Sequence, residues 1–168
     1  AGLFKLYLDI LQEWNSKVNI TSIKKHEDII IKHILDSIAV IKYIDISGKI
    51  VDIGSGGGFP GIPLKIKIPS LQVTLIEAKR KKANFLRFAI RKLGLSDIGV
   101  YNGRAENFEK KFFFDYAISR AFSDLKTYCS LASQLIKKDG CIIAMLGKED
   151  YDEKTKLEQI KDEVTIFR

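Results

Sequence analysis

Apolar positions follow two different periods along this chain, and the change falls at Gly48. Before it, Leu3, Leu6, Tyr7, Ile10, Leu11 and Trp14 recur at three- and four-residue steps, the spacing of one helix face. A second helix is predicted over Glu27–Tyr43. Ile30, Ile31, Ile34, Leu35, Ile38 and Ile41 form its inward face, and Glu27 and Asp28 lie in its first turn, where carboxylates complement the helix dipole. The polar stretch between these helices, ending in Asn19-Ile20-Thr21-Ser22, predicts a turn and cap.

After Gly48 the apolar runs shorten and become rich in β-branched residues. Ile50–Ile53, Leu71–Ile76, Ile98–Tyr101, Asp115–Ile118 and Cys141–Leu146 are predicted strands. Helical patterns separate most of them: Ile62–Ile68, Lys79–Leu93 ending at Gly94, and Asp124–Ile136 ending near Gly140. Strand alternating with helix predicts an α/β, Rossmann-like fold, a mostly parallel sheet with helices on both faces. The expected organisation is one domain over 1–168, with a helical cap at 1–46 and the sheet core at 47–168. Asp150–Glu163 reads as a further polar helix and Val164–Phe167 as the start of another strand. The chain begins with Ala1 rather than Met and stops at an unfinished sheet edge, so a longer chain is expected at both ends.

Composition narrows the class. With 46% apolar residues and 3 Pro in 168 residues, the chain can bury a sizeable core. Its net charge of +7 favours an anionic partner such as nucleic acid, although a lysine-rich proteome would give the same excess. Cys129 and Cys141 form no CxxC and His26 and His33 no ligand cluster, so no metal site is expected. The longest apolar run is far below the roughly 18 residues of a membrane span. A monomer in a reducing cytoplasm, without membrane contact, is expected.

The chemistry concentrates at residues 49–61, where a β-branched run empties into five glycines, Gly54, Gly56, Gly57, Gly58 and Gly61. Glycine lacks Cβ and reaches positive φ cheaply, which lets backbone lie against a ligand. A purely structural turn would need fewer. A Walker A loop is excluded, because no Gly-Lys followed by Ser or Thr occurs there. The dinucleotide pattern GxGxxG fails from Gly54, where Phe59 takes the third position, and fits only in the shifted frame Gly56, Gly58, Gly61. The S-adenosylmethionine pattern DxGxGxG is met in line with the strand by Asp52, Gly54, Gly56 and Gly58. The methionine half of that cofactor carries two positive groups, which a carboxylate at Asp52 suits and which a pyrophosphate lacks. Glu77, ending the next strand, can accept both ribose hydroxyls, as an acid does in NAD enzymes too. Gly103-Arg104-Ala105-Glu106-Asn107 reads equally as an adenine pocket or an ordinary helix start.

Ser119-Arg120-Ala121-Phe122 follows the fourth strand, at the carboxyl edge where open α/β sheets bind ligands. The Asn or Asp followed by Pro-Pro and an aromatic residue, common in methyltransferases of exocyclic amines, is missing. Neither cysteine is placed as a nucleophile; both read as core residues. The acceptor left is a nucleophile needing no activation.

Taken together, Glu13-Trp14-Asn15 through Asn19-Ile20-Thr21-Ser22, His33-Ile34-Leu35-Asp36-Ser37, Asp52 to Pro63 and Ser119-Arg120-Ala121-Phe122 resemble the RsmG (once GidB) family. These are bacterial methyltransferases of guanine N7 in small-subunit (16S) ribosomal RNA. The resemblance runs along nearly the whole chain in the family's order, with GGGFPGIPL and HILDS its specific motifs. It implies a class I S-adenosylmethionine-dependent methyltransferase that binds its cofactor through positions matching Gly54, Phe59, Ala105, Glu106 and Arg120. Extra N-terminal helix and a final antiparallel strand, usual in the family, are not in this sequence. The implied chemistry fits: guanine N7 has a free lone pair, so an in-line displacement needs no general base, and alignment of the reactants supplies the rate. Arg120 is expected between cofactor and guanine, or else in an ion pair with Glu106 or Asp115.

Lys79, Arg80, Lys81, Lys82, Arg87, Arg91 and Lys92 fall within fourteen positions that contain no acid. Phe85, Leu86, Phe88, Ala89 and Leu93 take the inward positions, so the cations line an outward face expected to hold RNA phosphates. His33 is expected either to contact RNA or the cofactor mouth, or to pack with a hydrogen bond. The rival readings are a methyltransferase with a small-molecule acceptor and a non-catalytic RNA- or NAD-binding module.

Overall fold

The computed structural model describes residues 2–21, 30–120, 124–146 and 164–167. Helix α1 spans Gly2–Asn15. A second helical run, α2 (30–42), passes from a π-helical stretch Ile30–Leu35 through one α turn, Asp36–Ala39, to a 3-10 turn, Val40–Lys42. Then strands and helices alternate: β1 (Lys49–Ile53), α3 (Gly61–Lys67), β2 (Gln72–Glu77), α4 (Arg80–Leu93), β3 (Ile98–Asn102), a 3-10 turn (Ala105–Asn107), β4 (Phe114–Arg120), α5 (Leu125–Leu135), β5 (Ile136–Met145) and β6 (Val164–Phe167). The strands lie in the order β3-β2-β1-β4-β5-β6, every neighbouring pair parallel. The order reverses between β1 and β4, which makes their carboxyl ends the crevice where such sheets receive ligands.

Two apolar cores flank the sheet. On one side α1, α2, α3 and α4 bury Tyr7, Leu11, Ile34, Ile62 and Phe85 against Ile50, Leu75 and Ile118. On the other, α5 and the segment after β3 bury Tyr128, Leu135 and Phe108 against Val51, Ile76 and Ala117. Ile50, Val51, Asp52 and Ile53 are all buried, because a central parallel strand is covered on both faces and loses the polar alternation of a half-exposed one.

Local chemistry closes α4 and opens α5 where the sequence predicts. Gly94 adopts φ 63° beyond α4, its N–H reaching the carbonyls of Ile90 and Arg91. Asp124 caps α5, accepting from the N–H groups of Lys126 (3.2 Å) and Thr127 (3.1 Å). Lys65 is buried on α3, yet its ammonium donates to the carbonyls of Pro69 (2.6 Å) and Leu71 (2.5 Å), tying the end of α3 to the start of β2. Burial lowers its pKa.

Three expectations are corrected. On α1 the inward face runs through Tyr7, Leu8 and Leu11, whereas Leu3 and Leu6 are 42% and 40% exposed; the helix docks obliquely through its middle and end. Leu35 is 51% exposed rather than inward, since the change of pitch along 30–42 shifts the phase of the buried face. Finally, β5 begins at Ile136, with no loop after Leu135. Its register against β4 jumps from Phe114↔Ile136 to Tyr116↔Cys141, which leaves 137–140 as a bulge tied down by Lys137 Nζ at 2.6 Å from Asp115 Oδ1. Glu27, Asp28 and the predicted helix Asp150–Glu163 lie outside the described residues.

Candidate active site

The glycine loop leaves β1 and crosses the carboxyl edge of the sheet, and its two sides differ. Gly54, Gly56 and Gly58 have φ of 75°, 56° and 89°, which only glycine adopts without strain. A Cβ on Gly58 would lie 2.6 Å from Ile62 Cδ1 and 2.9 Å from the Tyr7 hydroxyl oxygen, and one on Gly61 would lie 2.4 Å from Leu75 Cδ2. A Cβ on Gly54 would meet nothing within 4 Å. One side of the loop is therefore packed into the protein, and the other presents bare backbone at the crevice.

The loop's N–H groups turn inward. Gly54 and Ser55 donate to the Ile76 carbonyl (2.9 and 3.0 Å), and Gly58 and Phe59 to the Ser55 carbonyl (2.7 and 3.1 Å). Gly56 donates to Glu77 Oε2 (2.9 Å), Gly61 to Asp52 Oδ2 (3.0 Å), and Ile62 to the Gly58 carbonyl (2.8 Å). A phosphate-binding loop aims such groups at its anion. Here they are used within the protein, two of them by carboxylates, and the Lys82 ammonium stands at the open side of the loop, 3.9 Å from where a Gly56 Cβ would lie.

Asp52, the fourth residue of β1, has no exposed surface, and its Oδ1 has no hydrogen-bond partner among the described residues. Burial pushes its carboxyl up from 3.8 to about 7, against the lowering effect of the Gly61 N–H. Glu77 ends β2 beside it in the sheet; its Oε1 accepts from the Lys79 N–H at 2.7 Å, and the Asn102 amide braces the Glu77 carbonyl at 2.8 Å. A buried carboxylate oxygen without a partner, a second carboxylate and an open stretch of glycine backbone fit a ligand with a cationic part and an adenosine part.

The helical cap holds the loop from above. The Tyr7 hydroxyl donates to the Gly57 carbonyl. Phe59 follows as the residue of a cis Phe59–Pro60 bond, with the Tyr7 ring 5.5 Å away and the His33 ring stacked on it at 4.6 Å. Arg120, the last residue of β4, sets its guanidinium 5.2 Å from the Phe59 ring centre and donates to His33 Nδ1. That bond leaves the His33 proton on Nε2, which donates to the Thr21 hydroxyl at 3.0 Å. Asp36 Oδ2 lies 3.8 Å from Arg120 Nη1. Burial lowers the Arg120 pKa, while Asp36 and Asp52 raise it.

Most of the predicted cofactor residues thus meet at one edge. Asp52, Gly54, Gly56, Phe59, Glu77 and Arg120 surround the mouth, Gly58 supports it from beneath, and Ala105 and Glu106 form the 3-10 turn after β3 with Ala105 buried and Glu106 exposed. The ion pair of Arg120 is with Asp36, not with Glu106 or Asp115; Asp115 is taken by Lys137 and the Lys49 N–H. His33 is 9% exposed and stands apart from the basic helix, between the cap and the loop. Ala121 and Phe122 lie outside the described residues. Lys79, Arg80, Lys81, Lys82, Arg87, Arg91 and Lys92 form a line that starts at the mouth, where Lys82 Nζ lies 3.9 Å from the position of a Gly56 Cβ. They run down α4 from the Gly56 edge for about 20 Å at 1.5 Å per residue.

Tyr7, Asp36 and Thr21 are the site residues that sequence reasoning missed. Each carried a signal: Tyr7 as the one hydroxyl on the apolar stripe of α1, and Thr21 and Asp36 as members of the segments that carry the family resemblance. Among the described residues no group of three or more His, Cys, Asp or Glu could hold a metal ion, and no helix is long and apolar enough to cross a membrane.

Sheet order, glycine crevice and flanking helices define a Rossmann-like fold of the S-adenosylmethionine-dependent methyltransferase class. The solved structures that resemble it carry the same fold. A methyltransferase from Methanococcus maripaludis described as S-adenosyl-L-methionine-dependent matches with a TM-score of 0.58 at 21% identity, over 80% of this chain and 68% of that one. M. jannaschii TYW2 in complex with AdoMet matches with a TM-score of 0.58 at 19% identity, over 66% and 50%. The family model for GidB, rRNA small subunit methyltransferase G, matches residues 2–165, and the chain belongs to that family. Proteins named ribosomal RNA small subunit methyltransferase G are 41% identical in Xylella fastidiosa (strain M23), over 88% of this chain and 69% of the relative. In Caldanaerobacter subterraneus subsp. tengcongensis the relative of that name is 43% identical, over 96% and 71%.

Proposed function

We propose that this chain transfers a methyl group from S-adenosylmethionine to N7 of a guanine in 16S ribosomal RNA. The observation that carries the cofactor reading is the loop whose N–H groups are taken up within the protein, two of them by Glu77 and Asp52, which withholds them from a pyrophosphate and sets carboxylates beside a cationic ligand. Family membership supports the RNA substrate.

The cofactor, when bound, supplies an electrophilic methyl on a sulfonium. Asp52 and the bare edge at Gly54 and Gly56 would hold its methionine part, Glu77 its ribose, and the turn at Ala105 and Glu106 its adenine. Guanine N7 brings its own lone pair, so none of these residues has to remove a proton, and catalysis rests on alignment in a site with little water. Arg120 is suited to orient the base, because Asp36, His33 and the Phe59 ring fix its guanidinium at the end of β4. The basic face of α4 would hold the RNA backbone without reading sequence.

Calorimetric titration with S-adenosylmethionine and with NAD tests the cofactor reading: the first should bind and the second should not, and preference for NAD would overturn it. For the substrate, replacing Arg80, Arg87 and Arg91 by Gln should lower affinity for ribosomal RNA and flatten its salt dependence by about three phosphate contacts. An unchanged slope, or methyl transfer only to a small molecule, would contradict it.

A further inference from the structure

A shallow, open cleft of about 270 Å³ between α1 and α4 lies away from the glycine loop and is lined by Trp14, Asn84, Arg87, Phe88 and Arg91. Trp14 lies against two rings of α4, Phe85 at 5.7 Å and Phe88 at 5.3 Å between centroids. The two contacts do different work. Phe85 is fully buried and docks α1 on the core, whereas Phe88 and Trp14 are each only half-buried and meet at 47°, an open wedge facing the cleft. Cations surround that wedge: the Arg91 guanidinium and the Lys92 ammonium each lie 5.8 Å from the Phe88 ring centre, and Arg87 is steadied by Asn84 Oδ1 at 3.2 Å. The neighbouring acid on α1, Glu13, is engaged by Lys17 at 3.3 Å.

Half-open aromatic rings between cations are the chemistry of single-stranded nucleic-acid platforms, on which a base stacks while its phosphates meet the charges. We propose that this cleft is a stacking subsite for one nucleotide of single-stranded RNA, its base on the Trp14–Phe88 wedge and its phosphates on Arg87 and Arg91. The proposal rests on the RNA reading above. Phe88 is nine residues from Lys79, about 13 Å along the helix, so the nucleotide gripped here flanks the target guanine rather than being it. The cleft is shallow and open, which suits a base laid on a ring surface rather than a ligand enclosed on all sides.

Trp14 is the single tryptophan of the chain and reports on the cleft directly. The full chain is titrated with a short oligoadenylate and with an abasic ribose-phosphate oligomer of equal length, following tryptophan emission and, separately, affinity. Oligoadenylate should quench Trp14, and the abasic oligomer should bind in a salt-dependent way without quenching. Phe88→Leu should weaken oligoadenylate by about 5- to 140-fold, the range expected for losing one stacked base, and leave the abasic affinity unchanged. Equal quenching by both oligomers, or unchanged oligoadenylate affinity in Phe88→Leu, would overturn the subsite while leaving RNA binding intact. Failure of both oligomers to bind would overturn the RNA reading with it. Because the abasic comparison uses the unaltered protein, it holds even where Phe88→Leu folds poorly.

Discussion

The glycine loop and the basic helix α4 meet near Gly56, and they are held in opposite ways. Around the loop, Tyr7, Ile20, Phe59, Ile62 and Leu75 press on glycines that have no room for a Cβ, and carboxylates of two strands take up its N–H groups. On α4 the cations project from a helix whose opposite face, Ala83, Phe85, Leu86, Ala89 and Leu93, is buried, with Phe88 and Ile90 partly buried beside it. Substitutions in the loop should therefore disturb fold and binding together unless they touch its bare edge, whereas substitutions on the outer face of α4 should change binding alone.

Gly58→Ala breaks the loop most severely. Positive φ and the clash with Ile62 and Tyr7 together should cost about 2–4 kcal/mol, seen as a fall in Tm of roughly 10 °C. Gly54→Ala sharpens the contrast, since its Cβ points into open space: stability should drop by only about 1–2 kcal/mol for the left-handed backbone, while the methyl obstructs the crevice. Cofactor affinity should fall by about 10- to 100-fold, and calorimetry on a variant that still melts cooperatively would read it.

Asp52 gives the comparison a pH dependence. Its carboxyl titrates at about 7 in the fold, against an ordinary value of 3.8 when solvated. The folded protein thus keeps a proton that the unfolded chain releases, and this contribution is full below about pH 4 and lost as pH rises through 7. The loss is at most about 4 kcal/mol at 1.36 kcal/mol per unit. Asp52→Asn should accordingly melt higher than the parent at pH 8 and close to it near pH 4. Cofactor binding should run the other way: in the parent, affinity for the cationic ligand weakens as pH falls below 7, and in Asp52→Asn it is weak and flat. A pH series of melting curves and titrations checks both signs.

Arg120→Ala should reduce methyl transfer by about 10- to 100-fold through lost alignment, with cofactor affinity changing less. A rate equal to the parent's would leave Arg120 as a brace between Phe59, His33 and Asp36 only. The smallest effect on stability belongs to α4: replacing Arg80, Arg87 and Arg91 by Gln should move stability by no more than about 0.5 kcal/mol, measured by denaturant midpoint.

What could be read from sequence follows the same divide. Every predicted strand exists, and Gly94 closes α4 and Asp124 opens α5 as their chemistry requires, because periodicity and caps act within a few residues. Asp52, Gly54 and Glu77 were legible because one loop brings them together across adjacent strands. The hydroxyl of Tyr7 on Gly57, fifty positions away, was not, nor was the chain of contacts from Thr21 through His33 to Arg120. Those depend on how the cap docks, and docking leaves no local period. Lys65 was hidden for a similar reason: a charge in an apolar helix becomes tolerable only once the carbonyls of Pro69 and Leu71 fold around it.

Methyl transfer to purified small-subunit ribosomal RNA tests the central claim most directly, with labelled S-adenosylmethionine as donor and the modified base located by chemical cleavage at N7-methylguanine. The account predicts label at a guanine N7, reduced in Gly54→Ala at subsaturating cofactor and reduced in Arg120→Ala at any cofactor concentration. Cofactor that binds without labelling the RNA, or label on an exocyclic amine or a pyrimidine carbon, would contradict it.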